Sequence, residues 1–181
     1  MSKNKLVNSW IIIITIITVI LAAGFSIISE LALSKLNIFF AFITLITIIF
    51  VGVFFDIIGV ASAVVDDKFF HAMASKKIEI AKYSLFITRN APKFSSFCSD
   101  VIGDIAGIVS GAAGTVIVLN LIAMYGLRNG ALLTVLMSST IAGLTVGGKA
   151  LGKEIAINKS KEIILISAKV VRFFDKIFKF V

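Results

Sequence analysis

The chain has 181 residues, a formal net charge of +8 and 59% hydrophobic residues, with a single proline, cysteine and histidine. Its mean hydropathy is +1.06, and a soluble domain of this length needs more polar residues than that to cover its surface. The composition excludes a water-soluble globular fold, an intrachain disulfide and a soft-metal cluster, since Cys98 and His71 each stand alone of their kind.

Four apolar runs reach the roughly 20 helical residues that a hydrocarbon core requires: Trp10–Ser29, Ile38–Val65, Val101–Leu127 and Ala131–Gly148. None alternates polar and apolar residues, so a membrane β-barrel is disfavoured. The first run has the basic start MSKNK and the small residues LAAGFS of a signal peptide. Its apolar stretch continues through FSIIS, too long for a signal core, and it reads as an uncleaved anchor. The second run exceeds the bilayer thickness and is expected to tilt or extend past the boundary.

Between the second and third runs, Asp66–Lys93 mixes charges with Phe69, Phe70, Met73, Ile78, Ile80, Tyr83, Leu85 and Phe86. This predicts short amphipathic helices on the membrane surface. In the fourth run, Ser138, Ser139 and Thr140 are expected to satisfy backbone carbonyls of their own helix. In the tail, Ile163, Ile166, Val170, Phe174 and Ile177 share one helical face, while Lys169, Arg172, Lys176 and Lys179 share another. A basic amphipathic helix of this kind lies in the headgroup plane or docks on a partner.

The fold expected is therefore an all-α membrane protein with four transmembrane helices. Residues 1–36 form an N-terminal anchor and short outside loop. Residues 37–159 form a three-helix core with a juxtamembrane helical hairpin at 66–94, and residues 160–181 form an interfacial helix. All Lys and Arg residues except Lys35 and Arg128 fall on one side of this topology. The positive-inside rule makes that side cytoplasmic, with both termini there. The expected location is a cell membrane of the bacterial plasma-membrane kind. The positive charge is a topology signal with affinity for anionic lipid, and nucleic acid is not an expected partner.

Acidic residues inside apolar sequence carry the functional reading. Asp56 lies in FFDIIGVASAVVDD, roughly 14 Å from the end of its span at 1.5 Å per residue. The third run opens SDVIGDIAGIVSGAAG, with Asp100 and Asp104 four residues apart and Gly103, Gly107 and Gly111 in a GxxxGxxxG row. At about 100° per residue the acids project near the middle of that row. Small residues so spaced let helices approach closely in lipid, within one chain or between two. On this reading the acids face a neighbouring helix. Asp56, Asp100 and Asp104 are then candidate ligands of a hard divalent cation such as Mg²⁺, because isolated charge at that depth is costly and oxygen donors suit hard ions.

These residues also carry a family resemblance. The order of elements resembles the transmembrane domain of the CNNM/CorC (CorB) magnesium transporters over roughly residues 40 to 180. Phe55-Asp56-Ile57-Ile58-Gly59 stands where that family has an F-S-x-S-E pattern, and ASKKIEIAK where it has A-E-K-G-x-R-A-K. Ile102-Gly103-Asp104 stands in place of I-G-N, and GKALGKEIAINKSKEI in place of a motif near G-E-I-I-P-K. The resemblance implies divalent cation binding or transport and a homodimer. The departures are specific. Asp56, Asp100 and Asp104 replace two serines and an asparagine, Ile58 and Gly59 replace a serine and a glutamate, Lys149 replaces a glutamate, and Gly152 replaces a proline. The family's nucleotide-sensing CBS module is absent from this sequence.

Two readings follow. In one, the aspartates hold Mg²⁺ or a similar cation and Lys149 snorkels at the periphery. In the other, the Lys149 ammonium takes the cation's place, and the protein is a non-transporting scaffold or accessory subunit of a membrane partner. An enzyme is not expected, since His71 lies beside the interface and reads as a surface residue.

The topology generates the first prediction. Single cysteines at positions 35 and 128, in a Cys98→Ser background, should react with an impermeant thiol reagent in intact cells, and a cysteine at position 80 should not. The reverse labelling pattern would overturn the orientation.

Overall fold

Apolar helix formers without internal proline predict continuous helices, and a computed structural model shows them. It describes residues 3–33, 37–126 and 130–178. The long helices are α1 (Lys3–Leu33), α2 (Ile38–Val64), α6 (Asp104–Tyr125) and α7 (Gly130–Asn158), and α8 (Ser160–Phe178) is the last helix among the described residues. Between α2 and α6 come α3 (Lys68–Ser75), α4 (Ile80–Arg89), α5 (Ala91–Ser95) and a π-helical segment, Ser96–Gly103. Among the described residues there is no strand. The fold is all-α, and four helical stretches are long and apolar enough to cross a membrane: Ile11–Leu31, Ile38–Val64, Ala91–Tyr125 and Gly130–Asn158.

The observed helices differ from the apolar runs at their ends. The third is helical from Ala91, because the charged and hydroxyl residues before Val101 interrupt hydropathy without interrupting hydrogen bonding. The fourth continues beyond Gly148 to Asn158, carrying Lys149, Lys153 and Glu154 within the helix. Lys35, Arg128 and Lys179 lie outside the described residues, as does the side chain of Ile177.

Local chemistry sets several boundaries. Asp66 Oδ1 accepts a hydrogen bond from the Lys68 amide at 3.0 Å, at the start of α3. That bond is the leading reason the Asp66 carboxyl lies below its ordinary value. Lys77, with φ 57°, makes the turn from α3 into α4. Pro92 sits in the first turn of α5, where its missing N–H costs nothing. Gly126 ends α6 in the left-handed conformation, φ 60°, with its amide on the Ile122 carbonyl at 2.9 Å.

Two compact units are present: Met1–Gly52 with Gly103–Gly147, and Val53–Ile102 with Gly148–Val181. In the first, α1 packs on α6. The inner side of α6 is Ile105, Ala106, Val109, Ser110, Ala113, Gly114, Ile117 and Val118. Gly114 admits the Ile141 side chain of α7, and Gly52 admits Ala106, whose Cβ would lie 2.8 Å from an added methyl. Most apolar side chains of α1 stay uncovered, as hydrocarbon surroundings allow.

The second unit has a denser core of Ala61, Phe70, Tyr83, Leu85, Ile87, Ala156, Ile164 and Ala168. The predicted hairpin is there as α3 and α4, and α8 packs on α4. Two polar contacts join α8 to α4. Tyr83 Oη donates to Asp175 Oδ2 at 2.9 Å, and the Arg172 guanidinium donates to Glu79 Oε2 at 2.6 Å. The hydrogen bond to Asp175 raises the Tyr83 pKa above 10.0. A raised folded-state value means that this contact contributes fully below the unfolded pKa and is lost as pH climbs through the folded one.

The glycine row is corrected in part. A methyl added at Gly107 or Gly111 would meet nothing within 4 Å, so these two are not close contacts within the chain. Gly103 is buried, and its carbonyl lies 3.5 Å from a methyl placed on Gly52. The tight glycines are instead Gly52, Gly59, Gly114, Gly130, Gly148 and Gly152. Gly148 and Gly152, one turn apart on α7, would place added methyls 2.9 Å from Val53 Cγ2 and 2.8 Å from Ile57 Cγ1. Gly152→Leu should therefore lower stability by about 1–3 kcal/mol through overpacking, while Gly107→Leu leaves the monomer's melting unchanged and alters only any contact between copies. Equal melting temperatures for the two variants would contradict this assignment.

Candidate functional site

Asp56 follows Phe54 and Phe55 on α2, inside a stretch apolar enough to span a membrane. The residue is 5% exposed, and its Oδ2 is buried without a hydrogen-bond partner. An unpaired polar group in an apolar setting costs about 2–7 kcal/mol, and an isolated ionised one far more. A carboxyl at such a position needs a compensating partner.

The surroundings of Asp56 are built by close approach. Gly59, one turn further along α2, stands against the start of the π-helical segment. A methyl at Gly59 would overlap the Ser99 hydroxyl and come within 3.1 Å of the Ser95 carbonyl oxygen and the Ser99 amide nitrogen. Ser99 Oγ donates a long hydrogen bond, 3.4 Å, to the Asp56 carbonyl. Ser62 Oγ returns to the Gly59 carbonyl at 2.7 Å, keeping that hydroxyl on its own helix. Any larger residue at position 59 would push the two elements apart.

A π-helix reaches five residues back for each hydrogen bond, which widens the turn, and such segments are frequent at functional sites. Here it occupies eight residues, SFCSDVIG. Cys98 and Val101 are buried, Ser99 is half-buried, and Asp100 is exposed. On another side of α2, Val53 and Ile57 receive Gly148 and Gly152 of α7. Asp56 stands beside that contact row, and half-buried Lys149 directly follows Gly148.

The Ser99 hydroxyl is engaged with the backbone carbonyl of Asp56, and no protein donor meets the buried Oδ2. A carboxylate with no second protein ligand beside it suits a hard cation that keeps most of its water shell.

The aspartates are placed differently. Asp56 is buried, whereas Asp100 and Asp104 are exposed. Among the described residues, no three His, Cys, Asp or Glu side chains are grouped so as to hold a metal ion. Asp56 and Asp100 belong to the second unit and Asp104 to the first, so neither unit by itself holds the expected set of three aspartate ligands. The glycine row implies an inward direction for Asp100 and Asp104 only if the row itself is packed, and Gly107 and Gly111 are on the open side of α6 with Asp104.

Hydropathy and charge do not single out Gly59, Ser95, Ser99 or the Gly148-x-x-x-Gly152 pair. The last has the same small-residue spacing as the Gly103–Gly111 row, so the sequence does hold a signal for it. Ser99 and the π-helix have none. Glu30 is a further acid within an apolar run. In the first unit it borders a cleft lined by Ala112, Ala113, Thr115, Val116 and Leu119.

Comparison with protein families, with curated proteins and with solved structures finds no match to this chain.

The buried carboxyl generates a prediction. In buffer free of divalent cations, Asp56→Asn should stabilise the protein by about 1–3 kcal/mol, because a neutral amide is cheaper to bury than a carboxylate without a partner. Thermal melting checks it. A loss of stability instead would mean that a fixed positive group already faces Asp56.

Proposed function

We propose that this protein binds a hard cation within the membrane at Asp56, with Mg²⁺ the leading candidate and transport of the ion as the activity. The observation that carries the proposal is the buried, unpartnered Oδ2 of Asp56 inside a helix apolar enough to cross a bilayer. The resemblance to the CNNM/CorC transporters supports the choice of ion, since the same stretch of α2 stands where that family's first motif falls. In this reading Asp56 supplies the charge and water most of the remaining coordination, while Gly59 lets Ser99 and the Ser95 carbonyl approach the same turn of α2. Asp100 and Asp104, being exposed, act in attracting the cation or in meeting a second copy of the chain.

A second reading rests on Lys149, which is half-buried within the stretch Gly130–Asn158. If its ammonium supplies the positive charge for Asp56, the protein is a non-transporting scaffold or accessory subunit.

The two readings respond oppositely to one experiment. A ligand that binds only the folded state raises stability by RT ln(1 + [L]/Kd), about 2.7 kcal/mol at a hundredfold excess over Kd. Purified protein should melt at higher temperature in millimolar Mg²⁺, and Asp56→Asn should abolish the increment while Lys149→Met preserves it. Under the second reading, the parent ignores Mg²⁺, Mn²⁺, Co²⁺, Ca²⁺ and Na⁺ alike, and Lys149→Met loses stability or acquires a response to a divalent cation. A shift that survives Asp56→Asn would remove Asp56 from the site.

A further inference from the structure

Helix α8 has three sides where the sequence shows two. Ile164, Ser167 and Ala168 are buried, and Ile163, Leu165 and Val171 are partly buried against the same core. Lys169 and Lys176 are on the polar side, Lys169 exposed and Lys176 close to it along the helix. On the third side, Ile166, Val170, Phe173 and Phe174 are 58%, 51%, 64% and 50% exposed.

The inner side fixes the rotation of the helix. Tyr83 holds Asp175, and Glu79 holds Arg172, so α8 cannot roll to bury its large apolar residues against α4. The inner side is made of small or slender residues, and the phenylalanines are left outside. Neighbouring exposed apolar side chains rimmed by charge mark an interaction surface.

The core that receives Ile164 and Ala168 also contains Ala61 and Ala156. Ala61 lies near the end of the stretch Ile38–Val64, and Ala156 near the end of Gly130–Asn158. The start of α8 is thus held where two membrane-crossing helices finish, with Lys159 as the sole residue between α7 and α8. At that level the nearest extended apolar phase is the bilayer that those helices cross. The lysines beside the strip complement anionic headgroups.

We infer that the strip Ile166, Val170, Phe173 and Phe174 is seated in the headgroup–acyl boundary of an anionic leaflet, with Lys169 and Lys176 on lipid phosphates. The occupant of this surface is lipid. The membrane then holds α8, and through Asp175 and Arg172 it also holds α4. This surface is independent of the cation site, and its test involves no metal.

The test uses the full chain in a Cys98→Ser background, reconstituted into nanodiscs with or without an anionic phospholipid. Val170→Cys, Phe173→Cys and Lys161→Cys are each labelled with an environment-sensitive fluorophore, and the discs carry a nitroxide-bearing lipid; Lys161 is exposed on the side of α8 away from the strip. Labels at 170 and 173 should be quenched at least about twofold more than the label at 161, and more strongly when anionic lipid is present. Equal quenching at the three positions would overturn the inference, as would quenching indifferent to lipid charge. Shielding of position 173 that rises with the number of chains per disc would overturn it in favour of a second copy.

Discussion

Hydrocarbon gives two apolar helices no reason to leave it for each other. A span made of Ile, Leu, Val and Phe loses nothing by facing lipid, so helix contacts in such a medium depend on close approach of backbones. The tight glycines follow from that constraint. Gly114 receives Ile141, Gly148 and Gly152 receive Val53 and Ile57, and Gly59 receives the start of the π-helical segment. Along α1, whose Gly24 meets no neighbour, large apolar side chains face outward.

The second unit combines two kinds of cohesion. Where α2 meets α7, contact comes through glycine. Around Phe70, Tyr83, Leu85 and Ile87, a larger apolar core is closed by α8, and its rim carries the pairs Tyr83–Asp175 and Arg172–Glu79. Charged partners of this kind belong at a boundary where water reaches the heads and the stems stay apolar. The unit thus joins an apolar core to a charged rim, and α8 is one of its walls.

Asp56 is intelligible within the same physics. A carboxyl oxygen buried without a hydrogen bond destabilises the helix that carries it, and the next turn of that helix is kept slim by Gly59, which packs on Ser99. The π-helical segment adds to the picture. It replaces regular hydrogen bonding with a wider turn beside the acid, at some cost in geometry. The two features meet through the hydrogen bond from Ser99 to the Asp56 carbonyl.

The all-α class, the four membrane-crossing stretches, the hairpin and the amphipathic last helix are all legible in the order of residues alone. Those features depend on contrasts that can be read along one dimension: apolar length against bilayer thickness, and charged against apolar faces in Lys68–Arg89 and Ser160–Phe178. Asp56 stands out as anomalous for the same reason. Which acid is buried, which glycines touch a neighbour and which side of α8 is inside emerge only when the helices are packed. Helix α6 is apolar nearly all round, so its pattern has no phase to show that Ile105, Ala106 and Val109 face in while Asp104 and Gly111 face out. In α8 the pattern distinguishes a polar and an apolar side, but the choice of Ile164 and Ala168 over Phe173 and Phe174 rests on the shape of the surface offered by α4. Steric fit between distant segments leaves no periodic trace, and in a medium without water no hydrophobic contrast stands in for it.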